Sequence, residues 1–206
     1  SLTIQKRMRS VWQHQQHISY CLFGSKKHLL ANLFQNRRMP FYHFGDTIFL
    51  KPISTSDWIP FICGKFAEKG KKISEELVCK ICTTVASHSS YVQQLAWNIM
   101  VNTETEVTDE IFQQSISELL AQCSPLFIQQ IQGLTTYQMN LIRCLCQGVR
   151  KDFTSKDVLE TYQLGSKSNI SRLKKTLVEK EIIEEEGDTI TLADPIFELW
   201  FKREYM

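Results

Sequence analysis

The chain has 206 residues, of which 43% are hydrophobic and 22% are charged. This hydrophobic fraction excludes an intrinsically disordered chain, and five prolines and eight glycines exclude collagen-like and low-complexity classes. The formal net charge of +2 is too small to indicate a polyanionic partner. Apolar runs such as residues 18–23 are too short to span a bilayer, and no signal-peptide pattern is present, so we expect a cytoplasmic protein of one or two domains.

The seven cysteines are predicted to be reduced, buried, small apolar residues. Without a secretory signal, no oxidising compartment is expected to pair them. The closely spaced cysteines are Cys79 with Cys82 and Cys144 with Cys146. A zinc site is the alternative, but it would need four ligands converging from distant helices. His14 and His17 near Cys21 are a second metal-binding alternative; we expect no metal site at either place.

Residues 1–52 have the apolar pattern of α/β structure. An amphipathic helix is predicted within residues 1–16, and a second helix within residues 27–34. Residues 18–23 and 47–50 are short β-prone runs that are typical of buried parallel strands. Because two strands alone cannot form a stable sheet, we expect the C-terminal remnant of a larger α/β domain.

Residues 53–133 are predicted to form a bundle of helices joined by short loops. Helix N-caps are predicted at Ser56, Ser74 and Thr108. Acidic residues follow Ser74 and Thr108 in the first helical turn, where the helix dipole favours negative charge. The apolar stripes of these helices are interpreted as hydrophobic core.

Residues 134–206 show the order of a winged helix-turn-helix: three predicted helices, a β-hairpin and a last helix. The hairpin turn is predicted at residues 186–188. Asp194 is predicted to cap the last helix, with Pro195 at its first position. The predicted fold is therefore mainly α, with a remnant of a parallel α/β core, a helical bundle and a C-terminal winged helix.

The third helix of this last domain is the candidate recognition helix. Its candidate contacts to nucleic acid or another partner are Lys167, Asn169, Arg172 and Lys175. Such a face can lie in the DNA major groove, with Lys and Arg on phosphates or guanines. However, residues 135–206 hold 11 Lys and Arg against 12 Asp and Glu, and the glutamates at 184–186 would repel phosphates. Double-stranded DNA and a protein therefore both remain open as partners.

No catalytic constellation is readable in the sequence. Gly24 and Ser25 lack the flanking glycine pattern of a nucleophile elbow. The Walker A sequence G-x-x-x-x-G-K-[ST] does not occur, and no acidic pair follows a predicted strand as a magnesium-binding motif would.

Four segments, taken in chain order, resemble those of one ATPase family. Residues 18–30 resemble a sensor-1 strand and its following helix, and residues 39–53 resemble the entry to a final core strand and lid. Residues 87–95 resemble a lid motif that usually reads Gly-His-Pro-x-Tyr-x-Gln, and residues 194–201 resemble the aspartate-proline-hydrophobic-aromatic-tryptophan end of a winged helix. Together they resemble the C-terminal part of AAA+ ATPases of the STAND and archaeal-ATPase group.

The resemblance implies a nucleotide-sensing role for two residues. Ser25 would hydrogen-bond the γ-phosphate or the attacking water, unless it is a turn or cap serine. His88 lies in the lid motif that approaches the nucleotide, unless it serves at a helix N-terminus. Ser87 and Ser89 replace the glycine and proline of the motif, so the nucleotide-facing turn is expected to differ. An arginine finger is not supported, because residues 43–46 read His-Phe-Gly-Asp.

The resemblance also implies what this chain lacks. Phosphoryl transfer of the P-loop kind needs the Walker A backbone and lysine and an acidic residue for magnesium. The family places these in an N-terminal P-loop half, which would bind ATP and Mg²⁺ in an intact parent. We therefore expect this chain alone neither to bind nucleotide tightly nor to hydrolyse ATP. In the parent, the lid would close on ATP and pass the nucleotide state to the winged helix. The alternative is a winged-helix DNA-binding regulator without ATPase activity.

Overall fold

The computed structural model describes residues 2–24 and 27–206, which fall into two compact units, Ser1–Lys51 and Pro52–Met206. In the first unit, helix α1 spans Leu2–Trp12 and helix α2 spans Lys27–Gln35. An aromatic cluster stabilises this unit around the buried Phe41, whose ring lies 5.4 Å from that of Trp12 and 5.7 Å from those of Phe34 and Phe44. Burial of one such side chain contributes roughly 1.5–3 kcal/mol.

The two strands predicted in the first unit are not formed. Residues 18–23 and 47–50 have no strand assignment, and Phe23, Ile48 and Leu50 are 91%, 80% and 85% exposed. A strand is stabilised by hydrogen bonds to a neighbouring strand, and the described residues of this unit supply no such neighbour. The prediction of buried strands is therefore wrong for this chain, whereas the remnant of an α/β core stays a prediction.

The second unit begins with four helices, here called the helical bundle. They are α3 (Thr55–Glu68), α4 (Glu75–Thr84), α5 (Ser89–Asn102) and α6 (Asp109–Ile131). The predicted caps Ser74 and Thr108 accept hydrogen bonds from the backbone amides of the third helical residues. The prediction of Ser56 as a cap is wrong, because Ser54 has the extended backbone of a cap and accepts the amide of Asp57 at 3.2 Å. Two serines two residues apart made the sequence signal ambiguous.

The winged-helix order predicted from the sequence is confirmed. Its elements are α7 (Thr136–Cys146), α8 (Lys156–Thr161), α9 (Lys167–Glu179), β1 (Ile183–Glu186), β2 (Thr189–Leu192) and α10 (Pro195–Tyr205). The strands pair antiparallel, from Ile183 opposite Leu192 to Glu186 opposite Thr189. Gly187 has a φ of 60° in the connecting turn, a conformation that glycine adopts without strain.

One hydrophobic core runs through the helical bundle and the winged helix. Phe127 of α6 is fully buried, and its ring centroid lies 5.4 Å from those of Phe197 and Trp200 in α10. The indole nitrogen of Trp200 donates a hydrogen bond to the hydroxyl oxygen of Ser124 at 3.0 Å. Helix α6 therefore packs against both the helical bundle and the winged helix, so that the two parts of the second unit stabilise each other.

All seven cysteines are free. Cys82, Cys144 and Cys146 are buried, whereas Cys21 is exposed, which departs from the predicted burial. Within residues 2–24 and 27–206, no cluster of three or more His, Cys, Asp and Glu side chains could hold a metal ion. A search of the same residues finds no helix with the length and hydropathy needed to cross a membrane.

Candidate functional site

Helix α9 presents the candidate contact residues to solvent. Its apolar side, formed by Ile170, Leu173 and Leu177, is buried in the core. On the other side, Lys167, Arg172 and Lys175 are exposed and Asn169 is half-buried. The helical period of 3.6 residues produces this separation, so the local fold gives these four residues one accessible face.

The beginning of α9 is fixed by a short polar network. The Asn169 amide donates to the backbone oxygen of Leu164 at 3.2 Å and accepts from the Arg172 guanidinium at 3.1 Å. Gly165 has a φ of +81°, and a Cβ atom there would lie 3.3 Å from the Tyr137 ring. Only glycine meets both conditions without strain. A shallow depression of about 370 Å³ lies here, bordered by Tyr137, Gly165, Ser166, Ser168, Asn169 and Arg172.

The electrostatics of this face do not resemble those of a strong phosphate binder. Lys175 lies 3.9 Å from the Glu179 carboxylate, and the Lys174 ammonium lies 5.2 Å from the centre of the Phe153 ring. The glutamates at 184–186 on β1 are exposed, as the sequence predicts. Lys167 and Arg172 therefore lie in a domain whose wing is negatively charged, and this charge would lower the affinity of the domain for a nucleic-acid backbone.

The lid-motif segment forms the turn that precedes α5. His88 is the N-cap of α5, and its side chain is exposed and makes no capping hydrogen bond. Its ring centroid lies 4.8 Å from that of Tyr91. Ser87 has a φ of 55°, in the left-handed region that costs a non-glycine residue free energy. Ser87 is the position at which the motif usually carries glycine, a residue that adopts such a φ without strain.

The structure describes one of the two residues that are expected to sense nucleotide. Ser25 lies outside the described residues, and His88 belongs to the second unit. Gln93 donates a hydrogen bond from its amide to the backbone oxygen of Ser89 at 3.2 Å and is otherwise exposed. The side chain of His88 is therefore accessible to a ligand and makes no capping hydrogen bond to α5.

A contact that the sequence did not predict joins the lid motif to the end of the winged helix. The Tyr91 hydroxyl donates a hydrogen bond to Oδ2 of Asp194 at 2.5 Å. The other carboxylate oxygen, Oδ1, accepts the backbone amides of Ile196 and Phe197 at 2.7 and 3.1 Å, which confirms Asp194 as the N-cap of α10. Burial raises the pKa of Tyr91 well above its ordinary value, and the Asp194 hydrogen bond acts in the same direction. The tyrosine is thus a neutral donor to a carboxylate.

Comparison with known proteins agrees with this architecture. Residues 125–203 match the family described as "Probable winged helix domain". The second unit therefore ends in a winged helix domain, which begins within α6.

The fold of the chain is similar to that of a solved protein, the Walker-type ATPase of Pyrococcus abyssi. The superposition covers 97% of this chain with a TM-score of 0.71, at 15% sequence identity, and spans 57% of the length of that ATPase. This likeness establishes the fold alone. No curated protein matches the chain in sequence.

Proposed function

We propose that this chain is the nucleotide-responsive C-terminal part of a Walker-type ATPase of the AAA+ and STAND kind. In this role the helical bundle is a lid over the nucleotide and the winged helix is the output domain. Support comes from the fold similarity to the Pyrococcus abyssi ATPase and from the winged helix domain. The observation that carries the proposal is the hydrogen bond between Tyr91 and Asp194.

This hydrogen bond connects the two segments that a coupling mechanism needs. Tyr91 lies in the first turn of α5, three residues after the exposed His88, and Asp194 caps α10. A ligand that moves the lid motif therefore pulls directly on the N-terminus of α10. Phe127 transmits the same movement through the core, because it packs on α10 from α6. The packed helices α6 and α10 shift together, so that a movement of the lid on nucleotide binding can reach the winged helix.

The Walker A sequence does not occur in this chain, and no cluster of three or more His, Cys, Asp and Glu side chains lies among its described residues. We therefore propose that ATP and Mg²⁺ are held by a P-loop half outside this chain. Here His88, and Ser25 by resemblance, would sense the nucleotide from the lid and core sides. This chain alone is expected to bind ATP weakly and to show no turnover.

The output of this mechanism is a changed contact of α9 with a partner, which is double-stranded DNA or a protein. Lys167, Asn169, Arg172 and Lys175 are the proposed contact residues. Arg172 is already oriented by its hydrogen bond to Asn169, so it loses less side-chain entropy on binding than a freely rotating arginine.

The test uses the longest polypeptide that the same gene encodes. A Walker A sequence and an acidic strand are expected within about one domain length, roughly 100–200 residues, before Ser1. That polypeptide is expected to hydrolyse ATP, and His88→Ala is expected to weaken nucleotide binding, with His14→Ala as the control. Turnover by the 206-residue chain alone, or a polypeptide without Walker motifs that binds no ATP, would contradict the proposal.

The second candidate function is a winged-helix DNA-binding regulator without ATPase activity. The exposure of Lys167 and Arg172 on α9 favours it. In that case, Arg172→Ala with Lys175→Ala would reduce duplex affinity and the salt dependence of binding. An unchanged affinity in this double variant, or no binding at low salt, would exclude α9 as a DNA-contacting helix.

A further inference from the structure

The two units of the chain have opposite charge. Residues 1–51 hold eight Lys and Arg and one acidic residue, Asp46, which gives +7. The remaining 16 of the 24 basic residues and 21 of the 22 acidic residues lie in residues 52–206, which gives −5. The small net charge of the whole chain therefore conceals a strongly basic unit next to an acidic one.

Most of the basic side chains that the structure describes in the first unit are exposed. They are Lys6, Arg7, Arg37, Arg38 and Lys51. Exposed cations raise the electrostatic potential around this unit, since no acidic residue lies in residues 1–45.

Arg9 connects two of these basic stretches. Its guanidinium donates hydrogen bonds to the backbone oxygens of Pro40 and Tyr42 at 2.5 and 3.0 Å and lies 5.0 Å from the centre of the Phe44 ring. Arg9 thereby ties α1, which carries Lys6 and Arg7, to the turn that directly follows Arg37 and Arg38. The four exposed cations are consequently held on one folded element and not on independent, flexible segments.

We propose that residues 1–51 form a nucleic-acid-binding surface, in which Lys6, Arg7, Arg37 and Arg38 contact backbone phosphates. Duplex DNA carries one negative charge per roughly 1.7 Å of helix axis, so two tethered pairs of cations fit it without base readout. The winged helix is the less suitable phosphate binder, because its wing carries the glutamates at 184–186. This inference goes beyond the proposed ATPase function and does not depend on nucleotide.

The test measures the affinity of the full chain for a labelled 20-base-pair duplex by fluorescence anisotropy between about 50 and 200 mM salt, the range over which phosphate contacts change affinity most visibly. The variant Lys6→Gln/Arg7→Gln/Arg37→Gln/Arg38→Gln is expected to bind about tenfold or more weakly. Its slope of log K against log salt is expected to be shallower by about 3–4, since each phosphate contact contributes about 0.9.

A matched variant tests whether the loss is specific to the first unit. It neutralises four exposed lysines of the second unit by Lys65→Gln, Lys69→Gln, Lys72→Gln and Lys156→Gln. This variant is expected to retain at least half of the affinity for the duplex.

The proposal would be overturned by no binding of the duplex by the full chain at about 50 mM salt, by an equal loss of affinity in the matched lysine variant, or by equal affinity for poly-glutamate. Circular dichroism checks that the first-unit variant is folded, and a folded first-unit variant that binds as tightly as the parent would also overturn the proposal. None of these results bears on ATP hydrolysis, so failure here is distinguishable from failure of the proposed ATPase role.

Discussion

The hydroxyl of Tyr91 and the carboxylate of Asp194 lie 2.5 Å apart, although 103 residues separate them in the sequence. The distance is typical of a hydrogen bond from a neutral hydroxyl to a carboxylate, which is about twice as strong as a bond between two neutral groups. One partner lies in the segment that resembles a lid motif, and the other caps the last helix of the winged helix. Two segments that the sequence shows only as separate motifs are therefore one contact in the folded chain.

Tyr91→Phe is expected to destabilise the chain, because it leaves Oδ2 of Asp194 without this donor. Hydrogen bonds to charged groups contribute about 1.5–3 kcal/mol, so the free energy of unfolding should fall by about that amount. Urea denaturation followed by circular dichroism measures the free energy of unfolding of the parent and the variant. Tyr137→Phe removes a hydroxyl from an exposed tyrosine and should change stability by less than about 0.5 kcal/mol. Equal effects of the two substitutions would show that the Tyr91 bond contributes nothing specific.

The buried thiols of α7 predict a loss of stability at alkaline pH. Burial raises the pKa of Cys144 and of Cys146 from 9.0 to about 12. Above pH 9 the unfolded chain releases these protons first, so the unfolded state is favoured, and the loss grows as pH rises toward 12. The free energy of unfolding should therefore fall between pH 9 and 11. In Cys144→Ala/Cys146→Ala this decline should be shallower, even if the variant is less stable at pH 7. If the free energy of unfolding fell equally steeply with pH in parent and variant, the two thiols would not be the cause of the decline.

Two glycine substitutions are expected to have opposite signs. Gly165→Ala forces a side chain onto a φ of +81° and 3.3 Å from Tyr137, and should cost about 1–2 kcal/mol. Gly64→Ala lies inside α3 with no atom within 4 Å of the new Cβ, and should stabilise by about 0.5–1 kcal/mol. Thermal unfolding of the parent and both variants compares their midpoint temperatures. A stabilising Gly165→Ala would mean that the turn before α9 is not the one described.

Phe127→Ala is expected to weaken the helical bundle and the winged helix together. Removal of a fully buried phenylalanine costs about 3–5 kcal/mol. Because this ring packs on Phe197 and Trp200, the second unit should unfold in one transition in parent and variant alike, with the midpoint lowered in the variant. Coincident transitions of tryptophan fluorescence and far-UV circular dichroism test this. Two separated transitions in the parent would show that the two parts are independent.

The sequence was informative where structure depends on residues close together along the chain. Asp194 followed by Pro195 marked the start of α10, and Gly187 marked the hairpin turn, because caps and tight turns need particular residue types at adjacent positions. The exposed face of α9 was readable for the same reason, since the 3.6-residue period separates Arg172 and Lys175 from the buried Leu173.

Features that depend on distant partners were not readable. The β-prone runs at 18–23 and 47–50 carry strand propensity, but a strand forms only where another strand pairs with it. The bond between Tyr91 and Asp194 requires the packing of α5 against the start of α10, which no local pattern encodes.

The most direct test of the central claim is hydrogen–deuterium exchange of the longest polypeptide that the gene encodes, with and without ATP. Exchange reports local opening helix by helix. We predict that ATP slows exchange in α5 and in α10 of the parent and of Tyr137→Phe, whereas in Tyr91→Phe the response of α10 is smaller than in the parent and that of α5 is retained. An α10 response in Tyr91→Phe equal to that of the parent, or no response of either helix to ATP, would contradict the account.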